Sequence, residues 1–530
     1  MTFNTDVRHK TSAEVNTQIS SYFDIVDNAI AMSDTNKKYV IDAQASYSPS
    51  APIHAGSFTT FIISPTSDNT ADLYNGFIKA NIKAKLNLDK AIADLSKVAG
   101  KYKLNSIWVG YKDSMDSVEK YEILSNGISI YTQNFGPEES FLTACGANET
   151  AKRADVYSNV RHKDVFDKKL NLARCGVFIS LGTSTDAGEW DIPIKIDLRR
   201  FLPLSNIKYL PAFAGKLELK IMFGINGLVW CPVGLPPELK NNIADLSKFN
   251  LSDITTEFTQ IGDEATIWTT AATESGVTTL TAEPRTLTAD RNYEINNTYT
   301  IIPNFGIDND IYSRLVQRYT GTELVFPTQI LQFNPLSKQL NTGRFSSTQT
   351  ITPRFIDSIF FLFPHKQSHH TVFKNPLFNS FQLRCGGYGA VPTIPLASNG
   401  SDPAFIEVCQ NAMNVNADQT GFNKEVVNSL CNTKNLNDCK GLMSNDRTSF
   451  FVGLPTETDN CYQQGQTSNT PITYEIIGEI AKDSTYGKEN QTPPVMGCLN
   501  DIAMVISVQQ GGMPPLVEFG AFDITSRQTS

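Results

Sequence analysis

The sequence has few features of a secreted, membrane-spanning or metal-binding protein. Its nine cysteines lie far apart, and no two of them form a Cys-x-x-Cys pair. No apolar run approaches the roughly 18 residues that a membrane helix needs, and the densest run, Ile359–Phe363, ends at Pro364. The first ten residues lack the apolar core of a signal peptide. These absences predict mostly buried, reduced thiols in an intracellular protein without a membrane span.

Charged residues are also scarce, at 19% of the chain, and the net charge is -9. Tight binding of DNA irrespective of sequence needs clustered lysines and arginines that displace counterions from the phosphates. In this chain the basic residues are scattered among acidic ones. The composition therefore excludes a histone-like neutraliser, and we expect no specific nucleic-acid binding.

Familiar catalytic motifs are missing as well. The chain contains no phosphate-binding loop, no Gly-x-Ser-x-Gly elbow and no His-Glu-x-x-His helix. The one histidine cluster, His365, His369 and His370, has no cysteine or further histidine nearby in the sequence. Zinc needs about four converging ligands, or three and a water. We interpret the cluster as a solvated loop, with a metal site as the alternative.

Two other candidate groups have simple structural explanations. Glu138 and Glu139 follow Pro137, where acidic residues stabilise the first turn of a helix, and adjacent helical residues point apart. Cys431 and Cys439 flank a polar loop and are expected to be free thiols, with a disulfide formed after cell exit as the alternative. The sequence thus predicts no enzyme and no catalytic, cofactor-binding or metal-binding residues.

Most of the chain has the pattern of β-strands. Asn126-Gly127 accepts the positive φ of a tight turn and predicts a hairpin between Tyr121–Leu124 and Ile128–Tyr131. Further strands are predicted at Tyr39–Tyr47, Ser57–Ile63, Phe77–Leu86, Gly176–Leu181, Ile192–Leu198, Leu217–Phe223, Leu324–Phe326, Gln329–Phe333, Phe355–Phe363, Ser380–Arg384, Ser449–Val452, Ile472–Ile480 and Ile502–Val508. Many antiparallel strands with loops longer than hairpins need fit jelly rolls with elaborated loops.

The two halves of the chain show a faint internal repeat. A strand and turn at Lys120–Gly127 precede a short predicted helix at Pro137–Cys145, and Ser380–Gly387 precedes another at Asp402–Cys409. Each half then finishes with two strands, Ile192–Leu198 and Leu217–Phe223 or Ile472–Ile480 and Ile502–Val508. Chance similarity is the alternative, but the repeat predicts one strand-rich domain that occurs twice.

An amphipathic helix is predicted at residues 11–32, with Thr11 and Glu14 at capping-box spacing and an apolar stripe from Val15 to Ile30. It packs either on its own domain or, as an arm, on a neighbouring subunit. The predicted organisation is an N-terminal arm or helix at 1–34, a first jelly roll at 35–232, a connection and exposed loop or tower at 233–315, and a second jelly roll at 316–530. The predicted fold class is all-β, with two tandem β-sandwich domains.

One segment resembles a known family. Ile192–Leu219 has an Ile-Pro-Ile strand, a loop rich in leucine and proline, the close-packing Gly215 and a last strand. It is similar to the end of the first jelly roll in major capsid proteins of Polinton/Maverick elements, Polinton-like viruses and virophages. Lys120–Gly127 and Pro137–Phe141 also resemble that family. The resemblance covers most of the chain in layout and residues 70–230 in local pattern, whereas the second half matches in layout alone.

The resemblance implies a major capsid protein of a double-stranded DNA virus or virus-like element. It implies a homotrimer of double jelly rolls that forms a pseudo-hexagonal tile of an icosahedral shell. The chain would be assembled inside the host cell, reside in the virion, and contact itself, neighbouring trimers, and penton and minor capsid proteins. The alternatives are a minor capsid or penton component on the same fold, or a β-sandwich carbohydrate-binding module or glycoside hydrolase, which needs two carboxylates across a cleft.

Overall fold

The structure, a computed structural model, describes residues 22–28, 39–44, 53–65, 69–89, 106–146, 176–180, 187–232, 258–274, 277–320, 323–366, 369–386, 390–398, 403–412, 450–456, 468, 470–480, 492–508 and 515–520. Antiparallel strands dominate these ranges, as the composition predicts. Four helices are α1 (residues 22–28), α2 (Gly136–Gly146), α3 (Asn309–Tyr319) and α4 (Pro403–Ala412) in the described part of the chain.

The strands of the first half are β1 (Tyr39–Gln44), β2 (Ile53–His54), β3 (Phe58–Ile62), β4 (Asn69–Asp72), β5 (Phe77–Leu88), β6 (Ser106–Gly110), β7 (Val118–Ser125), β8 (Ile128–Gln133), β9 (Gly176–Ser180), β10 (Ala187–Asp197), β11 (Tyr209–Pro211), β12 (Leu217–Phe223), β13 (Val229–Pro232), β14 (Thr259–Gln260), β15 (Glu264–Glu274), β16 (Val277–Ala289) and β17 (Glu294–Gly306). Those of the second half are β18 (Leu324–Pro335), β19 (Gly343–Ile351), β20 (Ile356–Leu362), β21 (Phe378–Cys385), β22 (Ala390–Leu396), β23 (Phe451–Pro455), β24 (Ile472–Ile480), β25 (Val495–Ser507) and β26 (Leu516–Gly520).

The second half folds as two facing sheets with a defined strand order. One sheet runs β18-β25-β20-β23, with β26 added beside β25, and the other runs β19-β24-β21-β22. If β18 to β25 are numbered one to eight, these orders are 1-8-3-6 and 2-7-4-5. Successive strands therefore alternate between the sheets, except β21 and β22, which pair within one sheet, and the order closes two Greek keys, which is the arrangement of a jelly roll.

The first half repeats this order around several additions. Strands β1, β17, β5 and β10 pair in sequence, and the second sheet runs β3-β12-β7-β8. With β1, β3, β5, β7, β8, β10, β12 and β17 numbered one to eight, the orders are again 1-8-3-6 and 2-7-4-5. The additions are a small sheet, β14-β13-β6-β9, the β15–β16 hairpin, whose β16 also pairs with β5, and the short strands β2 and β4 beside β17, with β11 beside β4. The predicted all-β fold of two tandem jelly rolls is confirmed.

Strand β17 corrects two details of the sequence interpretation. Glu294–Gly306 lies within 233–315, the range predicted as a connection, yet it pairs with β1 and β5 in the middle of a sheet. The internal repeat predicted from the sequence also matched the wrong pair of final strands in the first half. The final pair in the first half is β12 and β17, not Ile192–Leu198 and Leu217–Phe223, because β13 to β16 are inserted between the last two strands.

Several local predictions match the structure closely. Strands β12 and β24 have the predicted bounds, and the predicted hairpin is β7–β8, with φ of 50° at Asn126 and 81° at Gly127. The two predicted strands on either side of Pro327 form one continuous strand, β18. Because β18 lies at the edge of its sheet, a residue without an N–H donor is tolerated there.

The buried apolar side chains form two clusters, and each contains residues of both halves. The first contains Trp108 and Trp230 of the first half together with Phe326 on β18 and Met504 on β25, and the second is rich in phenylalanine. Although α2 belongs to the first half, its Phe141 and Leu142 are buried in the second core. Strand β20 is buried at every position, in contrast to the alternating burial along β12. Its sheet is therefore covered on both faces.

Helix α1 packs on its own chain. Its Tyr22 and Val26 are fully buried, and the Tyr22 ring lies 6.0 Å from those of both Tyr319 and Phe326. The helical prediction is confirmed for residues 22–28, and in this stretch the helix packs on its own chain. The predicted capping pair Thr11 and Glu14 lies outside the described residues.

Candidate functional site

The contact between the two jelly rolls, the junction, contains several buried charged side chains. Helix α2 follows the β7–β8 hairpin and carries both Glu138 and Glu139 in its first turn, as predicted. Their side chains point to different partners, also as expected for adjacent helical residues. Glu139 is fully buried and Glu138 is 5% exposed, so both acids act inside the fold.

Glu139 is held by donors from the first half. The Tyr121 hydroxyl donates to Oε1 at 2.8 Å, and Gln133 Nε2 donates to Oε2 at 2.7 Å. The same Gln133 nitrogen lies 2.8 Å from the carbonyl of Leu331 in β18, which connects this carboxyl to the second jelly roll. Burial raises the pKa of Glu139 to about 7, although the bonds from Gln133 and Tyr121 favour the ionised form.

This raised pKa predicts a stability that depends on pH. The folded chain keeps the Glu139 proton up to a pH of about 7, whereas an ordinary glutamate loses it near 4.5. The contribution of Glu139 to the free energy of unfolding should therefore be largest below pH 4.5 and fall as the pH rises through 7. At about 1.4 kcal/mol per pKa unit, the loss is at most about 3 kcal/mol.

Urea unfolding between pH 4.5 and 8 measures this slope. Glu139→Gln, which carries no charge at any pH, should flatten it. Glu122→Gln is the matched control, because Glu122 lies on β7 but pairs with Lys220 at a half-exposed site, 3.1 Å away. Equal slopes in wild type and Glu139→Gln would contradict the assignment.

A second polar group fixes α2 to the first half. Arg200 Nη2 lies 2.7 Å from Asp113 Oδ2, and the Ser140 hydroxyl donates to Asp116 Oδ1 at 2.5 Å. Asp113 and Asp116 also form a capping box at the N-terminal end of the 3-10 turn Ser114–Ser117. The side chains of Asp113, Asp116 and Ser140 are buried, so these contacts are shielded from water. They orient α2 so that Phe141 enters the second core.

The histidine cluster lies at the junction, and its interpretation as a solvated loop is wrong. His365 and His369 are 6% and 5% exposed. His369 hydrogen-bonds Asp263 through Nε2, and Lys366 Nζ lies 2.7 Å from the other oxygen of Asp263. Burial alone would raise the pKa of Asp263, but the bonds from His369 and Lys366 lower it to about 2. The cluster is thus part of an ion-pair network.

Two further contacts of this segment reach the first half. His370 Nδ1 lies 3.2 Å from Glu138 Oε1. The fully buried Lys112 donates through Nζ to the carbonyl of Thr371 at 3.0 Å. The partners are far apart in sequence, and side-chain types alone did not indicate them.

Apolar and backbone contacts complete the junction. The ring of Phe141 lies 4.6 Å from that of Phe373. The Thr328 hydroxyl on β18 lies 3.0 Å from the carbonyls of both Leu202 and Pro203. Together with α4, which packs against β20 and β23, these contacts bury the sheet that contains β20 on both faces.

Strand β26 contacts both jelly rolls. It pairs with β25 of the second half, and its Phe519 ring lies 6.0 Å from Tyr131 on β8. Asn126 at the hairpin turn donates through Nδ2 to the Pro515 carbonyl at 3.2 Å. Gly215 has a φ of 78°, and a Cβ there would come within 2.6 Å of Pro515. The close-packing glycine noted in the sequence therefore makes room for this strand.

The junction is a set of structural contacts. Among the described residues, no three His, Cys, Asp or Glu side chains are placed to hold a metal ion. Cys385, Cys409 and Cys498 are buried free thiols, while Cys431 and Cys439 lie outside the described residues. Asp357 and Asp501 share the Gln329 amide at 2.9 and 3.1 Å. In the described part of the chain, no helix has the length and apolar character needed to cross a bilayer.

Comparison with known proteins yields similarity at the level of structure alone. No protein-family model and no curated protein matches the sequence. Among solved structures, the mavirus major capsid protein aligns over 92% of this chain and 92% of its own, at 8% identity and a TM-score of 0.49. In fold, the chain resembles viral major capsid proteins. A chain of the Sputnik virophage aligns over 92% and 89%, at 11% identity and a TM-score of 0.45.

The same resemblance extends to a larger virus. The Faustovirus major capsid protein aligns over 93% of this chain and 98% of its own, at 8% identity and a TM-score of 0.43. These alignments run through both jelly rolls. Capsid proteins of virophages and related viruses, the group that Ile192–Leu219 and the β7–β8 region resemble, are among the solved structures that align with this chain.

Exposed apolar residues mark the corresponding edge of each jelly roll. Strands β8 and β22 are both the fifth strand of their unit, and each ends its sheet. Ile128 on β8 is 71% exposed, and Ile394 on β22 is 78% exposed. Edge strands with apolar side chains are prone to pair with another chain. Ile128 and Ile394 thus leave an exposed apolar side chain on each of these two edge strands.

Proposed function

We propose that the chain is a major capsid protein that assembles as a homotrimer and tiles the icosahedral shell of a double-stranded DNA virus or virus-like element. One observation carries the proposal: the strand orders 1-8-3-6 and 2-7-4-5 occur twice in one chain. Three such chains supply six similar sandwiches, the number needed to fill a hexagonal position. The domain division that fits is a first jelly roll at residues 39–306, the linking helix α3, and a second jelly roll at 324–520.

The junction supports this function physically. A shell subunit has to keep a fixed angle between its two sandwiches if identical copies are to close a lattice. Buried ion pairs and the shared core around α2 supply that rigidity. Stable interfaces between copies typically bury about 2,000 Å² or more, and long loops between strands provide such area at small cost in loop-closure entropy.

The remaining parts of the proposal follow from the role. The protein acts as a structural subunit without catalytic residues or cofactor, and it resides in the virion after assembly inside the host cell. Its partners are its own copies, neighbouring trimers, and penton and minor capsid proteins. Specific nucleic-acid binding is not part of the role, since the net charge is -9 and no basic run is present.

The proposal is tested on purified full-length protein. Light scattering coupled to size-exclusion chromatography should give three times the chain mass, and electron microscopy of expressed particles should show pseudo-hexagonal tiles. A protein that stays monomeric at all concentrations and binds a glycan array would overturn it in favour of a carbohydrate-binding module.

Self-association through the edge strands can be tested separately by substitution on β22. Ile394→Asp should weaken self-association at least about tenfold, because a charge would be transferred into an apolar contact. Folding of the monomer should be unaffected, since Ile394 is 78% exposed. Ile394→Val is the control and should associate as wild type does. Sedimentation equilibrium measures the association, and unchanged association of Ile394→Asp would exclude this edge as an interface.

A further inference from the structure

The loop between β20 and β21 touches the first jelly roll through several neighbouring side chains. The latch is defined by four residues: Lys366, His369, His370 and Thr371. Lys366 and His369 both bind Asp263. His370 binds Glu138, and the Thr371 carbonyl accepts from Lys112. The latch is therefore fastened to three separate points of the first half.

His370 lies under the influence of two acids of the first half. Its Nδ1 is 3.2 Å from Glu138 Oε1 on α2. Glu119 on β7 is the second acid whose charge acts on the ring. The Asn226 amide donates to Glu119 Oε1 at 3.4 Å and helps to hold this carboxylate in place. Two acids near one imidazole stabilise its protonated form.

The balance of effects favours the charged ring. Burial opposes protonation of His370, but the hydrogen bond and charge of Glu138, together with the charge of Glu119, outweigh it and raise the pKa above 6.5. Burial also raises the pKa of Glu119, while the charge of His370 lowers it. The contact is therefore strongest below pH 6.5 and weakens as the pH rises through the raised value.

The other charged groups around the latch do not change the expected effect of pH on the contact between His370 and Glu138. Asp263, with a pKa of about 2, stays ionised throughout the neutral range and keeps its contact with Lys366. Lys112 neighbours Thr371 on the side of the first half, and Lys120 is the cation beside Glu119. Glu138 and Glu119 would face a neutral ring at alkaline pH, and no described cation replaces His370 between them.

We propose that the latch is operated by a proton: it holds the two jelly rolls together firmly while His370 is charged and loosens when the ring becomes neutral. The device changes how tightly the junction is held, and it acts within one chain. It is thus independent of whether the chain assembles as a trimer. A change of pH between compartments would then alter the rigidity of the subunit without a ligand.

Hydrogen exchange of the full-length chain tests the proposal. Backbone exchange in peptides covering residues 369–386, corrected for the intrinsic effect of pH, should become about tenfold faster between pH 6 and 8.5. In His370→Gln the exchange should be fast at both values. His54→Gln is the control, because His54 is exposed, and it should behave as wild type does. Exchange at the His370 ring carbon gives its pKa directly, with an expected value above 6.5.

Two further variants, Glu138→Gln and Glu139→Gln, separate the titration of His370 from other effects of pH. Glu138→Gln retains the size of the side chain and should lower the pKa of His370, which shifts the change in exchange to lower pH. Glu139 titrates near 7, so the His370 comparison is repeated in a Glu139→Gln background, where the local effect at 369–386 should persist. The proposal fails if the pKa of His370 is 6.5 or lower, or if His370→Gln keeps the pH dependence of wild type.

Discussion

Truncation of Phe141 to alanine is expected to lower the free energy of unfolding by about 3–5 kcal/mol, the usual cost of removing a buried phenylalanine ring. The ring is fully buried and lies 4.6 Å from Phe373 and 6.4 Å from Phe451. It belongs to the first half by sequence but to the second core by packing. The cavity would therefore weaken the second core and its connection to the first together.

Denaturant unfolding followed by intrinsic fluorescence measures this effect. Phe345→Ala is the matched control: its ring is half-buried on β19, 5.5 Å from Phe378, and lies away from the junction. We expect it to cost about 1–2 kcal/mol, with a single transition. Phe141→Ala should instead broaden or split the transition, because the halves lose their shared side chain. Similar losses in both variants would argue against a special role for Phe141.

Removal of Arg200 is expected to be about as costly. Arg200→Met deletes the partner of Asp113, whose side chain is 1% exposed. Loss of one member of a buried ion pair typically costs about 3–5 kcal/mol, since the other charge stays buried without compensation. The bond from the Met115 amide to Asp113 remains, so the lower end of that range is expected.

The neighbouring arginine provides a control of the same chemistry. Arg199 lies 3.4 Å from Asp197 with 38% of its side chain exposed. A pair at such a surface contributes below about 1 kcal/mol, so Arg199→Met should be nearly neutral. Thermal and urea unfolding of Arg200→Met and Arg199→Met measure the loss of stability in each variant. If the two substitutions cost the same, the Asp113–Arg200 pair does not support α2 as the geometry implies.

Local patterns were sufficient for much of the fold. Strand β12 could be predicted to the residue because its side chains alternate between core and surface, and the β7–β8 turn because Asn126-Gly127 fits few other conformations. The helix at Pro137–Cys145 was visible from its capping proline and acidic first turn. Each of these signals depends on residues that are close together in the sequence.

Long-range pairing was harder to predict. Strand β17 comes after the inserted β13 to β16, in a region rich in threonine and asparagine, and its place between β1 and β5 depends on partners more than 200 positions away. Strands β19 and β22 were missed as well. The edge strand β22 contains two prolines and has a weak apolar pattern, as expected for a strand that pairs on one side.

The junction could be predicted least of all. The histidine cluster looked polar and isolated, yet His369 meets a partner 106 positions away and His370 one that is 232 positions away. Burial of a polar residue depends on such distant partners, so composition around the cluster indicated solvent. The sequence did identify Glu138 and Glu139 as helix residues, but the contacts that give them their role come from other elements.

The position of β26 has a consequence for how the protein is made. Chains emerge from the ribosome with the N-terminal end first and fold domain by domain, so the strand that contacts both jelly rolls is made after the other described strands of both. Its partner Tyr131 is in place nearly 400 residues earlier. Until residues 515–520 have been synthesised, a nascent chain thus lacks the contact that β26 makes with both sandwiches.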